Sequence, residues 1–172
     1  KKGKRLSNKQ LTVASEAMQH ADVVHIHAMW DLSNPQIAKA CERVGTPWVL
    51  SVHGMLDDWS MAQRSLKKKL YVATAARNML HKAAVIHTTA IEEKNQASQW
   101  IKHTRIAVVP CIVDLDPYQD VPSPQEAIEY YGASEEPTVL FLSRVHEKKS
   151  IETLIDAAAI LKQGDYPIRL LI

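Results

Sequence analysis

The sequence predicts an α/β protein made of two parallel-sheet units, and three observations predict it. Short apolar runs alternate with amphipathic segments of helical length. Their spacing is that of strand–helix–strand crossovers, which are right-handed and give parallel neighbours. The alternation is interrupted once, over residues 110–126, where Pro110, Pro117, Pro122 and Pro124 stand among acidic residues. It then resumes, so the units divide as residues 1–112 and 113–172.

The elements follow in order. Residues 10–20 carry Leu11, Ala14, Ala17 and Met18 at helical spacing. Val23–His27 is an apolar strand, and Pro35–Arg43 a helix with Ile37, Ala40 and Cys41 inward. Gly45-Thr46-Pro47 breaks the chain before a second strand, Trp48–Val52. A single long helix is expected from Met61 to His81, with Leu66, Leu70, Ala73 and Leu80 on its core side. Arg64, Lys67, Lys68 and Tyr71 then lie opposite. Ala84–Thr88 is a third strand, Glu92–Trp100 a helix and Ile106–Val109 a fourth strand. Beyond the proline-rich segment, Thr138–Leu142, Ser150–Lys162 and Ile168–Ile172 predict strand, helix and strand. The chain ends within that apolar strand, from which an excerpt of a longer protein is expected.

Composition narrows the function classes. Of 172 residues, 46% are apolar and 23% charged, which fits a folded globular chain and excludes disorder and low-complexity repeats. No apolar stretch reaches the roughly 18 residues of a membrane span. The net charge of +2 is too small to make nucleic acid the expected partner. Two cysteines, Cys41 and Cys111, have neither disulfide-framework nor zinc spacing, so a reducing, cytoplasmic setting is expected.

Two segments can carry chemistry. Val139–Leu142 delivers Arg144 to a strand's C-terminal end, where open α/β sheets bind ligands. Lys148 and Lys149 precede a helix for which Ser150 is the expected N-cap, so Arg144, Lys149 and the helix start can meet a phosphate or diphosphate. A solvated basic loop is the bland alternative. In the other segment the strand Trp48–Val52 ends in His53-Gly54, where glycine permits a tight turn and His53 can project into a cleft as a proton carrier. The alternative is a His that only hydrogen-bonds a neighbouring loop. His25 and His27 share one strand face. With Asp31 they resemble a metal site superficially, but a third ligand with zinc geometry is missing and no metal is expected. His25 is expected to pack in the core or behind the site. The basic helix face (Arg64, Lys67, Lys68) beside Met55, Leu56, Trp59 and Met61 admits contact with an anionic lipid surface or a phosphorylated acceptor. A merely solvated face is the competing reading.

Together these segments resemble the retaining glycosyltransferases of family four, from about residue 21 to the end of the chain. Ala21–His27 is similar to the "DVVHxH" strand. Ser51–Leu56 with Trp59 resembles "PHGML…W", and Val85–Thr89 through Glu93 resembles "hxTSxxE". Val108–Asp114 resembles "IPNGVD", with Cys111-Ile112 where Asn-Gly is usual. Phe141–Ser150 with the following Leu154–Ala157 is similar to "FLGRLxxKKG" and "LIxA", with Ser143 and Ser150 in place of glycines.

The resemblance implies a GT-B fold: two Rossmann-like domains with parallel sheets, both truncated in this chain, the first on the acceptor side and the second binding the nucleotide-sugar. It implies transfer of a hexose, with retention, from a nucleotide-diphosphate sugar to a saccharide or lipid-linked acceptor in cell-surface polysaccharide biosynthesis, without a metal or other cofactor. His53 matches the His at the sugar's reacting end, facing the interdomain cleft, with His27, Gly54 and Thr89 lining that cleft. Arg144 and Lys149 match the pair that neutralises the donor's diphosphate. Peripheral association with the inner face of the cell membrane is a further expectation. The glycine-rich first turn is expected before residue 1 and the paired glutamates after residue 172, so the chain alone is expected to be inactive. A nucleotide-sugar-isomerising relative and a non-catalytic anion-binding module are the alternatives, the latter on the strength of Cys111, Ile112, Ser143 and Ser150.

Overall fold

The computed structural model describes residues 5–101, 105–132, 134 and 136–172. The chain forms two compact units, Lys1–Ile112 and Val113–Ile172.

In the first unit, helix α1 (Asn8–Gln19) starts in a capping box in which the side chains of Ser7 and Gln10 each accept the other's backbone N–H. Strand β1 (Val24–His27) leads to α2 (Ser33–Val44), which stops at Gly45 because the chain turns there with φ +81°. Strand β2 (Trp48–Ser51) is followed by three short helices, α3 (Asp58–Ala62), α4 (Ser65–Ala73) and α5 (Arg77–His81). Then come β3 (Val85–Thr88), α6 (Ile91–Ser98) and β4 (Ile106–Val108).

The expected helix over 61–81 is therefore three pieces. Gln63 is extended and Arg64 is left-handed, with φ +54°, which breaks the helical run before α4. Thr74 breaks it again, with φ −119° and ψ −86°. Each break rotates the next helix, so the inward face is not the one that a continuous period predicts. Val72, Ala76, Met79 and Leu80 are buried, whereas Leu66 and Leu70 are 82% and 64% exposed. Tyr71, expected outside, packs against the core and donates its hydroxyl to the Met29 carbonyl at 2.8 Å. Leu56 and Met61 are buried as well, so the apolar stretch 55–61 mostly serves the core.

The four strands are parallel in the order β1-β2-β3-β4. Every crossover steps in the same direction, and the right-handed rule for parallel crossovers then places α2, α5 and α6 on one face. Burial agrees. Ile26, Leu50, Val52 and Ile86 point into that side and are buried with Ala38, Cys41, Leu80 and Ala97. Residues of opposite parity face away from these helices. His27 pairs with Ser51, Ser51 with His87 and His87 with Ala107 in one cross-sheet row, and His25 lies two positions earlier on the same face.

The second unit holds a 3-10 turn (Asp116–Tyr118), α7 (Pro124–Tyr131), β5 (Thr138–Leu140), a second 3-10 turn (Glu147–Lys149), α8 (Ile151–Gln163) and β6 (Arg169–Leu171). Part of the stretch expected to be linker is thus helical. Ser123 and Glu126 form a capping box and Pro124 takes the first helical position, where its missing N–H costs nothing. Strands β5 and β6 are parallel, with Val139 opposite Leu170. Arg169 donates to the carbonyls of Gly132 and Tyr131, at 2.9 and 2.6 Å, and so secures the end of α7. Among the described residues no helix is long and apolar enough to cross a membrane.

Candidate functional site

Four imidazoles gather at the C-terminal side of the first sheet. The β1 strand supplies His25 and His27, the turn after β2 supplies His53, and β3 supplies His87. His53 does not continue the strand. It adopts φ +49°, and Gly54 follows with φ +66°, so two successive left-handed residues turn the chain. Glycine accepts that conformation freely, while a residue with a Cβ pays about 1–2 kcal/mol for it. Ala28, just after β1, is left-handed too, with φ +69°. Strain of this kind persists where the surroundings over-determine it, as at ligand sites.

The turn carries His53 to His27: Nδ1 of His27 and Nε2 of His53 are 2.9 Å apart, and the ring planes lie within 13°. One nitrogen must donate and the other accept, so the pair holds a proton between two imidazoles. Both rings cannot be doubly protonated while that contact lasts.

Behind this pair runs a directional chain. The Val109 carbonyl only accepts, so Nε2 of His87 carries a proton and donates to it at 2.8 Å. In the tautomer that leaves Nδ1 bare, His87 then accepts from the Ser51 hydroxyl at 2.6 Å. Ser51 Oγ in turn accepts from Nε2 of His25, also at 2.6 Å. Ser51 is 1% exposed, so these partners replace the water it cannot reach. His25 therefore sits beside the site on an exposed strand position and not in the core. Burial, and then the charges of His27, His87 and His53, hold its pKa below the ordinary imidazole value.

The loop carrying His53 and Gly54 is tied to its surroundings by Glu93. Its Oε1 accepts from the Gly54 N–H, and its Oε2 accepts from the Thr89 N–H at 2.6 Å and the Thr89 hydroxyl at 2.9 Å. Burial works to raise the Glu93 pKa, but those N–H and O–H donors, with the charge of His53, bring it below the usual carboxylate value. Gly54 and Thr89 are thus held by one carboxylate next to His53. Among the described residues no group of three or more His, Cys, Asp or Glu side chains has a metal-holding arrangement.

In the second unit, Arg144 follows the end of β5 and Lys149 ends the 3-10 turn before α8. Both side chains are exposed. The expected Ser150 cap is not made: Ser150 is left-handed at φ +48° and its side chain caps no N–H of α8. Instead His146 caps the 3-10 turn, Nδ1 accepting from the Lys148 N–H at 3.1 Å. The left-handed Ser150 stands where the resembling pattern has glycine, which explains that pattern. Ile112 does not share this feature; it is 97% exposed and its φ is negative. Lys68 likewise leaves the expected basic face, since Nζ donates to the Ser60 carbonyl and lies 5.0 Å over the Trp30 ring.

A groove of about 480 Å³ lies apart from these residues, between α1, α2 and α5, and is bordered by Arg5, Lys39 and Arg43. It is on the helix-covered side, away from the imidazoles. Of the clustered side chains, spacing alone singles out His25, His27 and His53. Ser51, His87 and Glu93 stand within the family-like segments, but their joining to the imidazoles becomes visible only through the cross-sheet row and the fold of α6 onto the β2 loop.

The model of the glycosyl transferase 4-like domain family matches residues 10–111. The chain belongs to that family. Comparison of its sequence with curated proteins gives no match. Among solved structures the chain is similar to Anabaena HepE in complex with UDP, with a TM-score of 0.62 and 12% identity over 95% of this chain and 51% of that one. HepE in complex with UDP-glucose gives 0.63 and 15%, over 94% and 51%. Sucrose-phosphate synthase from Thermosynechococcus elongatus gives 0.61 and 19%, over 94% and 41%. At these identities the likeness shows the fold, which is of the GT-B glycosyltransferase type. The chain spans about half the length of HepE.

Proposed function

We propose that this glycosyl transferase 4-like chain works in a retaining hexosyltransferase. The donor is a nucleotide-diphosphate sugar, the acceptor a saccharide or lipid-linked saccharide, and the setting cell-surface polysaccharide synthesis in the cytoplasm. The observation that carries the reading is His53, delivered past the end of β2 by two left-handed residues and hydrogen-bonded to His27. The neighbouring structures with UDP and UDP-glucose support a nucleotide-sugar as the donor class.

In this reading the first unit presents His53 to the reacting end of the sugar, with His27, Gly54 and Thr89 around it. The second unit binds the diphosphate through Arg144 and Lys149. As the sugar–oxygen bond breaks, negative charge grows on the leaving diphosphate, and fixed cations stabilise it more in the transition state than in the ground state. Two side-chain cations serve this purpose without a metal or other cofactor.

Calorimetric titration of the full-length protein with UDP and other nucleoside diphosphates tests the reading. Loss of one charge-assisted hydrogen bond costs about 1.5–3 kcal/mol, so R144A and K149A are each expected to weaken binding roughly 10–150-fold. K148A removes the same charge one position away and is expected to change it less than about threefold. Equal losses for K148A and K149A would indicate a diffuse basic patch, the behaviour of an anion-binding module. Conversion of the donor without transfer to any acceptor would favour the isomerising relative.

Peripheral membrane association belongs to the same proposal. On α4, Leu66, Leu70 and Ala73 share an outward face, with Lys67 and Lys69 flanking it. An exposed apolar stripe between lysines suits an anionic lipid surface. Sedimentation with anionic vesicles that L66S/L70S leaves unchanged would refute this part.

A further inference from the structure

Glu93 makes contacts that capping its own helix does not require. A glutamate in the first turn of α6 has reason to accept from Thr89, just ahead of that helix. Its other oxygen reaches instead to the Gly54 N–H, 39 positions earlier in the sequence and in a different crossover. Three residues on, Gln96 repeats the pattern and accepts the Asp58 N–H at 3.1 Å. Positions three apart share one face of a helix. One side of α6 is thus a rail to which the loop after β2 is hydrogen-bonded at both ends of its turn. Ser60 closes the loop on itself by donating to the Gly54 carbonyl at 3.1 Å.

We propose that Glu93 is a positioning residue for His53, clamping the left-handed His53-Gly54 turn onto α6 and placing a negative charge beside the imidazole. The physical need is clear from the turn. Two left-handed residues in succession, one of them a histidine, are not a resting conformation for a free loop. The Gly54 N–H points away from the sheet ladder and needs an acceptor, and a carboxylate is the strongest the side chains offer. The electrostatic part follows from the company His53 keeps. His27 and His25 on β1 and His87 on β3 are the titratable groups on the sheet side, and each disfavours a positive charge on its neighbours. Glu93 faces His53 from α6; against burial, the donors of Thr89 and Gly54 lower the pKa of the carboxyl, and the charge of His53 adds the smallest share. The clamp therefore sets both the place of the imidazole and the charge beside it.

This inference rests on His53 as the proton-carrying group of the proposed site, but its test does not require any transferase activity. NMR of the full chain at one fixed pH is expected to show the ring-carbon signals of His53 displaced in E93Q relative to the unsubstituted protein, as the imidazole leaves its place against His27. The Gly54 amide proton is expected to lose the downfield shift of a carboxylate-bound N–H in the same variant. A folded E93Q with both signals unchanged would overturn the proposal. Should E93Q not fold, hydrogen exchange of the Gly54 amide in the unsubstituted chain decides: strong protection supports the clamp, and exchange at the free-chain rate overturns it. In the full-length protein a positioning role is expected to lower kcat and leave the donor KM within about twofold. A uniform failure of every variant and the parent to transfer sugar would count against the functional reading and leave the NMR result standing.

Discussion

The strain at His53 can be measured by replacing it with two residues that both lack the imidazole. H53A and H53G lose the same contact with His27, so that loss cancels between them. They differ in what the φ of +49° costs. Alanine keeps its Cβ and with it a penalty of about 1–2 kcal/mol in the left-handed region. Glycine escapes the penalty but gives back about 0.4–1 kcal/mol through the greater entropy of its unfolded chain. The difference favours H53G by about 0.5–1 kcal/mol, the reverse of the usual order of alanine and glycine. In a domain of this size that is roughly 1–4 °C in Tm. The assay is specific to the unit concerned, because Trp30, Trp48, Trp59 and Trp100, all four tryptophans of the chain, lie within residues 1–112. Urea or thermal unfolding followed by tryptophan fluorescence therefore reports that unit. A28G, at the left-handed residue after β1, is the positive control and is expected to stabilise by a similar amount. An H53A protein as stable as H53G would refute the turn and the argument that strain delivers His53.

Two further outcomes are expected. S51A leaves the part-buried Nδ1 of His87 and the N–H of His25 without their shared partner, and is expected to cost about 1–3 kcal/mol in the same fluorescence assay; a neutral result would mean that the hydroxyl does not bridge the two rings. Acidification is expected to destabilise the first unit in two stages. The depressed pKa of His25 means that the unfolded chain takes up a proton first, so stability is lost as pH falls from about 6.5, and H25N removes that stage. The depressed pKa values of Glu93 and Asp31 contribute stability above the ordinary carboxylate range that disappears as pH falls below about 4. Stability that is flat between pH 7 and 5 would contradict the placement of His25 among three other imidazoles.

What the sequence disclosed, and what it hid, follows from the range of each interaction. Strand–helix alternation is a local property, and every strand of the first sheet is found where its apolar run lies. The break at Gly45 was legible because a single residue type satisfies its positive φ. The run from Met61 to His81 was not, because its two interruptions are made by Arg64 and Thr74, residues without a turn signature of their own. There tertiary packing prevails over helical period: the chain breaks its helical run twice and buries Met61, Val72, Met79 and Leu80 together. The capping box of α7 was written in Ser123, Pro124 and Glu126, yet four prolines nearby masked it. For the site, the individual imidazoles could be picked out by parity along one strand. Their joining through Ser51 depends on the register between strands, which no single segment encodes.

The strand order itself accounts for why the polar cluster lies where it does. In a parallel sheet whose strands succeed one another in one direction, right-handed crossovers cover a single face and leave the other to different use. Alternate residues of each strand then have opposite fates. Ile26, Leu50 and Ile86 enter the core, and their neighbours His25, His27, Ser51 and His87 cannot. A one-residue slip of β1 would put both of its imidazoles under α2 and bring Ile26 out, at the price of unpaired buried polar groups. The apolar parity that fixes the register for folding therefore also fixes the row of imidazoles, and no separate device is needed to align them across three strands. Of the four imidazoles only His53 lies past the end of its strand, where alternation no longer fixes a side chain's direction. Its direction is set by the left-handed turn, whose Gly54 N–H is held by a carboxylate from the following helix.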